Sequence, residues 1–191
     1  MRTAFKEWAV VVDSLGRGDQ ILVLRKGGIA EGREGFQIEH PEFLLFPTLY
    51  HQQRDLVIPS AQTRYDALAP LLPPPETVRL EYFAKVAASR RLECLSDAEA
   101  LRGQHCWRDE VIADRFEWGG SENIFAIALR VYRLPLRIEL PMTPAYGGCR
   151  SWIELEKDVP MTGSQAVLDS ALFDQKLARF LGALNPATRG G

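Results

Sequence analysis

The chain has 191 residues, 46% of them hydrophobic and 25% charged, with a formal net charge of −2 at pH 7. That length fits one domain or one domain with a small appendage, and the near-neutral balance argues against a wholly basic nucleic-acid binder while leaving room for a local basic groove. Cys94, Cys106 and Cys149 are scattered and form no Cys-x-x-Cys pair, which argues against a zinc knuckle or disulfide scaffold and predicts reduced thiols in the cytoplasm.

The N-terminal stretch has charges at Lys6 and Glu7 and no long apolar run behind them, the pattern of neither a signal peptide nor a membrane anchor. Phe5, Trp8, Ala9, Val12 and Leu15 share a helical face, so a helix is predicted from about Thr3 to Leu15. The β-branched run Val10–Val12 is the counter-argument. Gln20–Arg25 reads as a buried strand, closed by Lys26-Gly-Gly28. Phe36–Ile38 alternates as a short strand, and Pro41 breaks it and can start a helical turn. Phe43–Phe46 is either a strand or a buried helical turn, limited to an edge or an end by Pro47. Pro59–Thr77, with Pro70 and Pro73–Pro75, reads as a linker or long loop.

Val78–Val86 alternates as a long strand. Ser96-Asp-Ala-Glu99 is a capping box that opens a short helix to about Arg102, and Glu110–Phe116 is a further helical piece. Asn123–Leu134 is the strongest strand pattern, ended by Pro135. A turn at Gly147-Gly148 leads to a final strand at Ser151–Leu155. From about Ser164 the pattern is helical, with Val167, Phe173, Leu177, Phe180, Leu181 and Leu184 on one face and Pro186 as the stop. The organisation expected is one mixed domain over residues 1–160, then a closing helix and a mobile tail over 161–191. Strands do not alternate regularly with long helices, so the expected class is α+β. It would be a small, mixed, strongly bent sheet or pseudo-barrel flanked by N-terminal and C-terminal helices.

The segment from Glu34 to Gln52 concentrates His40, His51, four aromatic residues, two prolines and three carboxylates. Polar side chains that are awkward to bury interrupt its apolar residues, the pattern of a site rather than plain core. Glu39, His40, His51, His105 and Glu110 are the candidate acids, bases or metal ligands. No close His pair at helical ligand spacing occurs among them, and structural, hydrogen-bonded histidines are the alternative. Ser151 lacks the nucleophile elbow, and Cys106 beside His105 is no dyad by adjacency. The acidic-x-Lys triplet Asp174-Gln-Lys176 lies on the predicted last helix rather than on a strand. Arg25-Lys-Gly-Gly28 offers an anion nest or an ordinary turn.

Arginines in or beside strands are interleaved with aromatics, an arrangement that suits single-stranded or everted bases but also occurs where arginine stems cover rings in plain cores. On this reading Arg25, Lys26 and Arg130 hold phosphate. Tyr50, Trp107 or Trp152 stack on bases, and His40, His51 and Gln52 read polar edges. No cofactor or metal is expected. The partner expected is RNA or DNA, with no membrane. The alternatives are a phosphodiesterase or nuclease using the His/Glu set, and an interaction subunit that takes no small ligand.

Several blocks carry a resemblance. Glu7-Trp-Ala-Val10, Leu24–Ile29, Glu39–Thr48 with His51-Gln52, His105-Cys-Trp107, Arg115–Trp118, Leu129–Pro135 and Tyr146–Trp152 resemble an uncharacterised bacterial family built on a domain of unknown function. A second resemblance rests on Glu42–Gln52, Arg79–Val86 and Ile127–Leu140, the last containing Leu134-Pro-Leu-Arg-Ile-Glu-Leu140. These are similar to elements of PUA-like domains of the EVE and ASCH kind. That resemblance implies a small pseudo-barrel that binds RNA or modified bases in DNA. The chain departs from the pattern in its N-terminal helix, its Arg-Lys-Gly-Gly strand and its closing helix.

Overall fold

The computed structural model describes residues 1–26, 31–32, 35–36, 40–49, 51–118, 122–148 and 150–185, with the side chains of 31, 32, 35, 36, 51 and 52 outside that description. The elements run β1 (Thr3–Trp8), α1 (Ala9–Gly16), β2 (Leu22–Arg25), β3 (Glu31–Gly32), β4 (Gly35–Phe36), β5 (Glu42–Thr48), α2 (Pro59–Leu68) and β6 (Thr77–Leu92). Then come α3 (Leu95–Glu99), α4 (Asp109–Glu117), β7 (Ile124–Pro141), β8 (Trp152–Glu154), β9 (Gln165–Ala166) and α5 (Ser170–Ala183). One sheet has the strand order β2-β7-β6-β5-β1-β8, with β9 added on β7, and β3 pairs with β4 in a separate hairpin. The β1–β5 pair is parallel and the other pairs are antiparallel. No helix among the described residues is long and apolar enough to cross a membrane.

The sheet separates two apolar clusters. On one face Phe5, Phe43, Leu45, Ala84 and Val131 pack with α1, α4 and α5. On the other, Ala4, Leu44, Phe46, Val78, Leu80 and Ile153 form a smaller core. Each fully buried Phe or Leu in these clusters stabilises the fold by about 1.5–3 kcal/mol. The sheet is strongly curled. Arg25 on the edge strand β2 reaches Glu7 on β1 and Ser151 just before β8, at the far side of the strand order. Side-chain bonds therefore link the two sides of the curl. The α+β class, the bent mixed sheet and the flanking helices agree with the sequence reading.

Several local expectations are overturned. The predicted N-terminal helix begins with a strand. Ala4 faces one core while Phe5 and Glu7 face the other side, and β5 and β8 cover both edges. Two-sided burial hides the period of two, and Val10–Val12, which favour strands in isolation, lie inside α1. The region read as a linker holds α2, whose Pro59 occupies the first turn, where a missing N–H costs nothing. No helical turn starts at Pro41; β5 follows it directly.

Pro47 sits as expected near the end of a strand. It is one residue from the end of β5 and pairs with Glu7 on β1, while the β5–β6 register stops at Leu44↔Phe83, so its missing N–H interrupts no ladder with β6. The Thr48 hydroxyl beside it donates to the Glu7 carbonyl at 3.1 Å. Pro135 does not end β7. The register passes from Tyr82↔Arg133 to Leu80↔Ile138, so Leu134–Arg137 bulge opposite Glu81 and need no ladder donor. The Ser96–Glu99 capping box does not form either. Helix α3 starts from Cys94 with no side-chain cap. The closing helix starts at Ser170, capped by the Asp169 carboxylate, which accepts from the Leu172 N–H at 2.8 Å. Val167 precedes it and bonds β7 through its backbone N–H. Ser151–Leu155 is not the last strand, because β9 follows. The short strand expected at Phe36–Ile38 coincides with the described residues only at Phe36, the end of β4.

Candidate functional site

Inside the curl an aromatic wall forms from three strands. Trp152 packs on Phe5 with ring centres 4.8 Å apart and on Phe43 at 4.9 Å, and the His40 ring lies 4.9 Å from Trp152. The register sets this up, since Trp152 pairs with Phe5 across β8 and β1, and His40 directly precedes β5. The Arg25 guanidinium caps the wall, 4.7 Å from the Phe5 ring centre. Its Nη2 donates to Ser151 Oγ at 2.7 Å and its Nη1 to Glu7 Oε2 at 3.3 Å. The Glu7 side chain is fully buried, and its Oε1 accepts from the Trp8 N–H at 2.8 Å.

A second guanidinium stands beside this ion pair. Arg115 projects from α4 and lies over two indoles, 5.0 Å from the Trp8 ring centre and 4.8 Å from that of Trp107. Its Nη1 donates to the Leu24 carbonyl at 2.8 Å. Burial pushes its pKa down to about 10, and Glu7 acts in the opposite direction. Cys106 lies in the same region with its thiol pushed up to about 12 by burial and then by the Glu7 charge, so it is a neutral, unreactive thiol at pH 7. Lys26, just after β2, donates to the Phe116 carbonyl, and burial lowers its pKa.

Arg25, His40 and Trp152 thus come together. Others expected in the same hollow do not. Trp107 is 1% exposed, with Arg115 against its ring, so it is a core residue and offers no open face to a base. Arg25 pairs with Phe125 on β7, and Arg130 lies five residues further along that strand, about 17 Å away and on the opposite face. Arg130 covers the Phe173 ring at 4.5 Å, donates to the Asp169 carbonyl and lines a cavity of about 10 Å³ under α5. It belongs to helix docking rather than to the Arg25 site.

The acid–base candidates are also dispersed. His105 is 7% exposed and packs against Trp107 at 5.7 Å; among the described residues neither ring nitrogen makes a well-formed hydrogen bond, and the Trp107 backbone lies close enough to favour the charged ring. Burial pushes its pKa down to about 4, so it is neutral at pH 7. Glu110 is exposed in the first turn of α4. Glu39, Tyr50 and the side chains of His51 and Gln52 lie outside the described residues, as does Cys149. No group of three or more His, Cys, Asp or Glu among the described residues is placed to hold a metal ion. The buried Lys6 ammonium donates to the carbonyls of Tyr146, Gly147 and Gly148 and fixes the turn before β8.

Sequence reasoning missed Glu7, Ser151 and Arg115 as site residues. It also missed Gln53, which is 1% exposed and whose amide atoms have no hydrogen-bond partner among the described residues. The available signal was the presence of Glu7-Trp8, Arg115–Trp118 and Ser151-Trp152 in the resembling blocks, with no chemistry attached to them.

Comparison with solved structures finds likeness to ASCH from Zymomonas mobilis, at 13% identity and TM-score 0.47 over 92% of each chain. Two single-substitution variants of that protein match at 14% and 15% identity, both with TM-score 0.45, over 92% of this chain and 93% and 95% of theirs. No curated protein matches the sequence. The family described as "Domain of unknown function (DUF1802)" matches residues 4–179, and the chain belongs to that family.

Proposed function

We propose that this protein binds nucleic acid, as single-stranded RNA or an everted base, on the face built by Arg25, His40 and Trp152. One observation carries the reading: a guanidinium, an imidazole and an indole from three separate segments meet on one aromatic wall inside the curl. A cation beside ring faces holds phosphate while a base stacks. In this reading Arg25 and Lys26 supply the positive charge that draws phosphate to the face, Trp152 stacks, and His40 reads a polar edge. Tyr50, His51 and Gln52, in the segment that follows β5, complete the contact.

Fluorescence anisotropy with labelled single-stranded RNA, single-stranded DNA and duplexes across a salt series tests this. Binding to single strands should weaken linearly in log–log terms, with a slope of about −0.7 per phosphate contacted. Trp152→Leu should cost about 1–3 kcal/mol in affinity with the fold retained by circular dichroism. Absence of binding, or binding indifferent to salt, overturns the proposal.

A further inference from the structure

We infer that Arg115 and Arg25 together form an oxyanion site of the phosphate class, in which Arg115 is the group that grips the anion. The inference rests on the nucleic-acid reading above and specifies which part of the ligand is held and by what. Three features of the site support it.

The first is charge. Arg25 and Arg115 flank Glu7, and Glu7 is the carboxylate among the described residues whose charge acts on Arg115. Among the described residues, two guanidinium groups against one carboxylate leave one positive charge in excess, in a place where water screens it poorly. An anion balances that excess.

The second is orientation. The Arg115 guanidinium lies over both the Trp8 and the Trp107 rings, and the Leu24 carbonyl fixes Nη1. The plane is held before any ligand arrives. A planar fork held in place is the arrangement that recognises two oxygens of one phosphate, and a lysine at the same position would supply only a point charge.

The third is the use of donors. Arg25 spends its two terminal nitrogens on Glu7 and Ser151. Arg115 spends one on a carbonyl, and its remaining donors have no acceptor among the described residues. Arg25 therefore sets the local charge while Arg115 carries the open hydrogen-bonding capacity. The Leu24 carbonyl links the two, since it belongs to the residue before Arg25.

Isothermal titration of the full-length protein with inorganic phosphate, a nucleoside 5′-monophosphate and the matching nucleoside, at low ionic strength, tests this. Phosphate should bind saturably, the monophosphate more tightly, and the nucleoside more weakly than the monophosphate. Arg115→Met should lose at least about tenfold in phosphate affinity. Arg115→Lys keeps the charge without the fork and should lose a comparable factor while folding as wild type, which covers the case in which Arg115→Met fails to fold. Arg79→Met, which removes an exposed pair with Glu139, should change nothing.

Single-stranded RNA binding with no phosphate binding, or with phosphate affinity unchanged in both Arg115 variants, overturns the inference and leaves the nucleic-acid reading standing. Phosphate binding lost in both variants without any RNA binding supports the oxyanion site and overturns the nucleic-acid reading. Neither ligand binding overturns both.

Discussion

Acidification should destabilise this protein through one imidazole well before its carboxylates titrate. His105 lies in the core beside Trp107, and among the described residues neither ring nitrogen makes a well-formed hydrogen bond. Its pKa falls from 6.5 to about 4, chiefly through burial, with Asp109 opposing and Arg115 assisting. The unfolded chain therefore binds a proton near pH 6.5 that the folded chain refuses until about pH 4. Stability is fully present above about pH 6.5 and declines as the pH falls through that window, by at most about 1.4 kcal/mol per pH unit. The loss is about 2 kcal/mol by pH 5 and about 3 kcal/mol below pH 4.

Urea denaturation of wild type and His105→Gln at about pH 7.5 and pH 5 isolates this contribution, because the same carboxylates titrate in both proteins. Wild type should lose about 2 kcal/mol more than the variant across that interval. Equal losses would mean that the ring protonates normally in the fold and that its enclosure is not as described.

Three further substitutions probe the interior. Glu7→Gln leaves Arg25 and Arg115 without their carboxylate and should cost about 3–5 kcal/mol in urea denaturation; a loss under about 1 kcal/mol would show the pair to be solvated. Gly16→Ala places a Cβ 2.3 Å from Tyr82 Cζ and should cost about 1–3 kcal/mol, with much of it recovered when Tyr82 is also replaced by Leu. Gln53→Leu removes two buried polar atoms that have no partner among the described residues and should be neutral or stabilising by up to about 2 kcal/mol, so a clear loss of thermal stability would reveal partners for that amide.

The sheet was legible where sequence pattern and environment agree. Ile124–Leu129 is continuously apolar because both faces of β7 are covered there, and such a run reads as strand with no ambiguity of period. The closing helix was legible because Phe173 and Phe180 dock one face on the core. Prolines misled in both directions. Pro59 sits at a helix start, and Pro135 sits in a bulge, two places where a missing N–H is tolerated.

At the candidate site, composition pointed to the Glu34–Gln52 segment and so to His40. Arg115 was invisible for a physical reason. Its significance comes from two indoles, Trp8 and Trp107, that are 99 residues apart in the chain and meet only through the fold. Arg130 and Trp107 were credited with ligand contacts because arginines and rings that pack against each other in a core have the same composition as those that hold a nucleotide.

The most direct measurement is photo-crosslinking of a 4-thiouridine-labelled single-stranded RNA to the protein, with the attachment sites identified by peptide mass spectrometry. Adducts on Trp152 or on His40, competed away by unlabelled RNA, are the predicted result. Adducts confined to the opposite side of the molecule, around Arg130 and α5, or no adducts above those of an unrelated acidic protein, would contradict it.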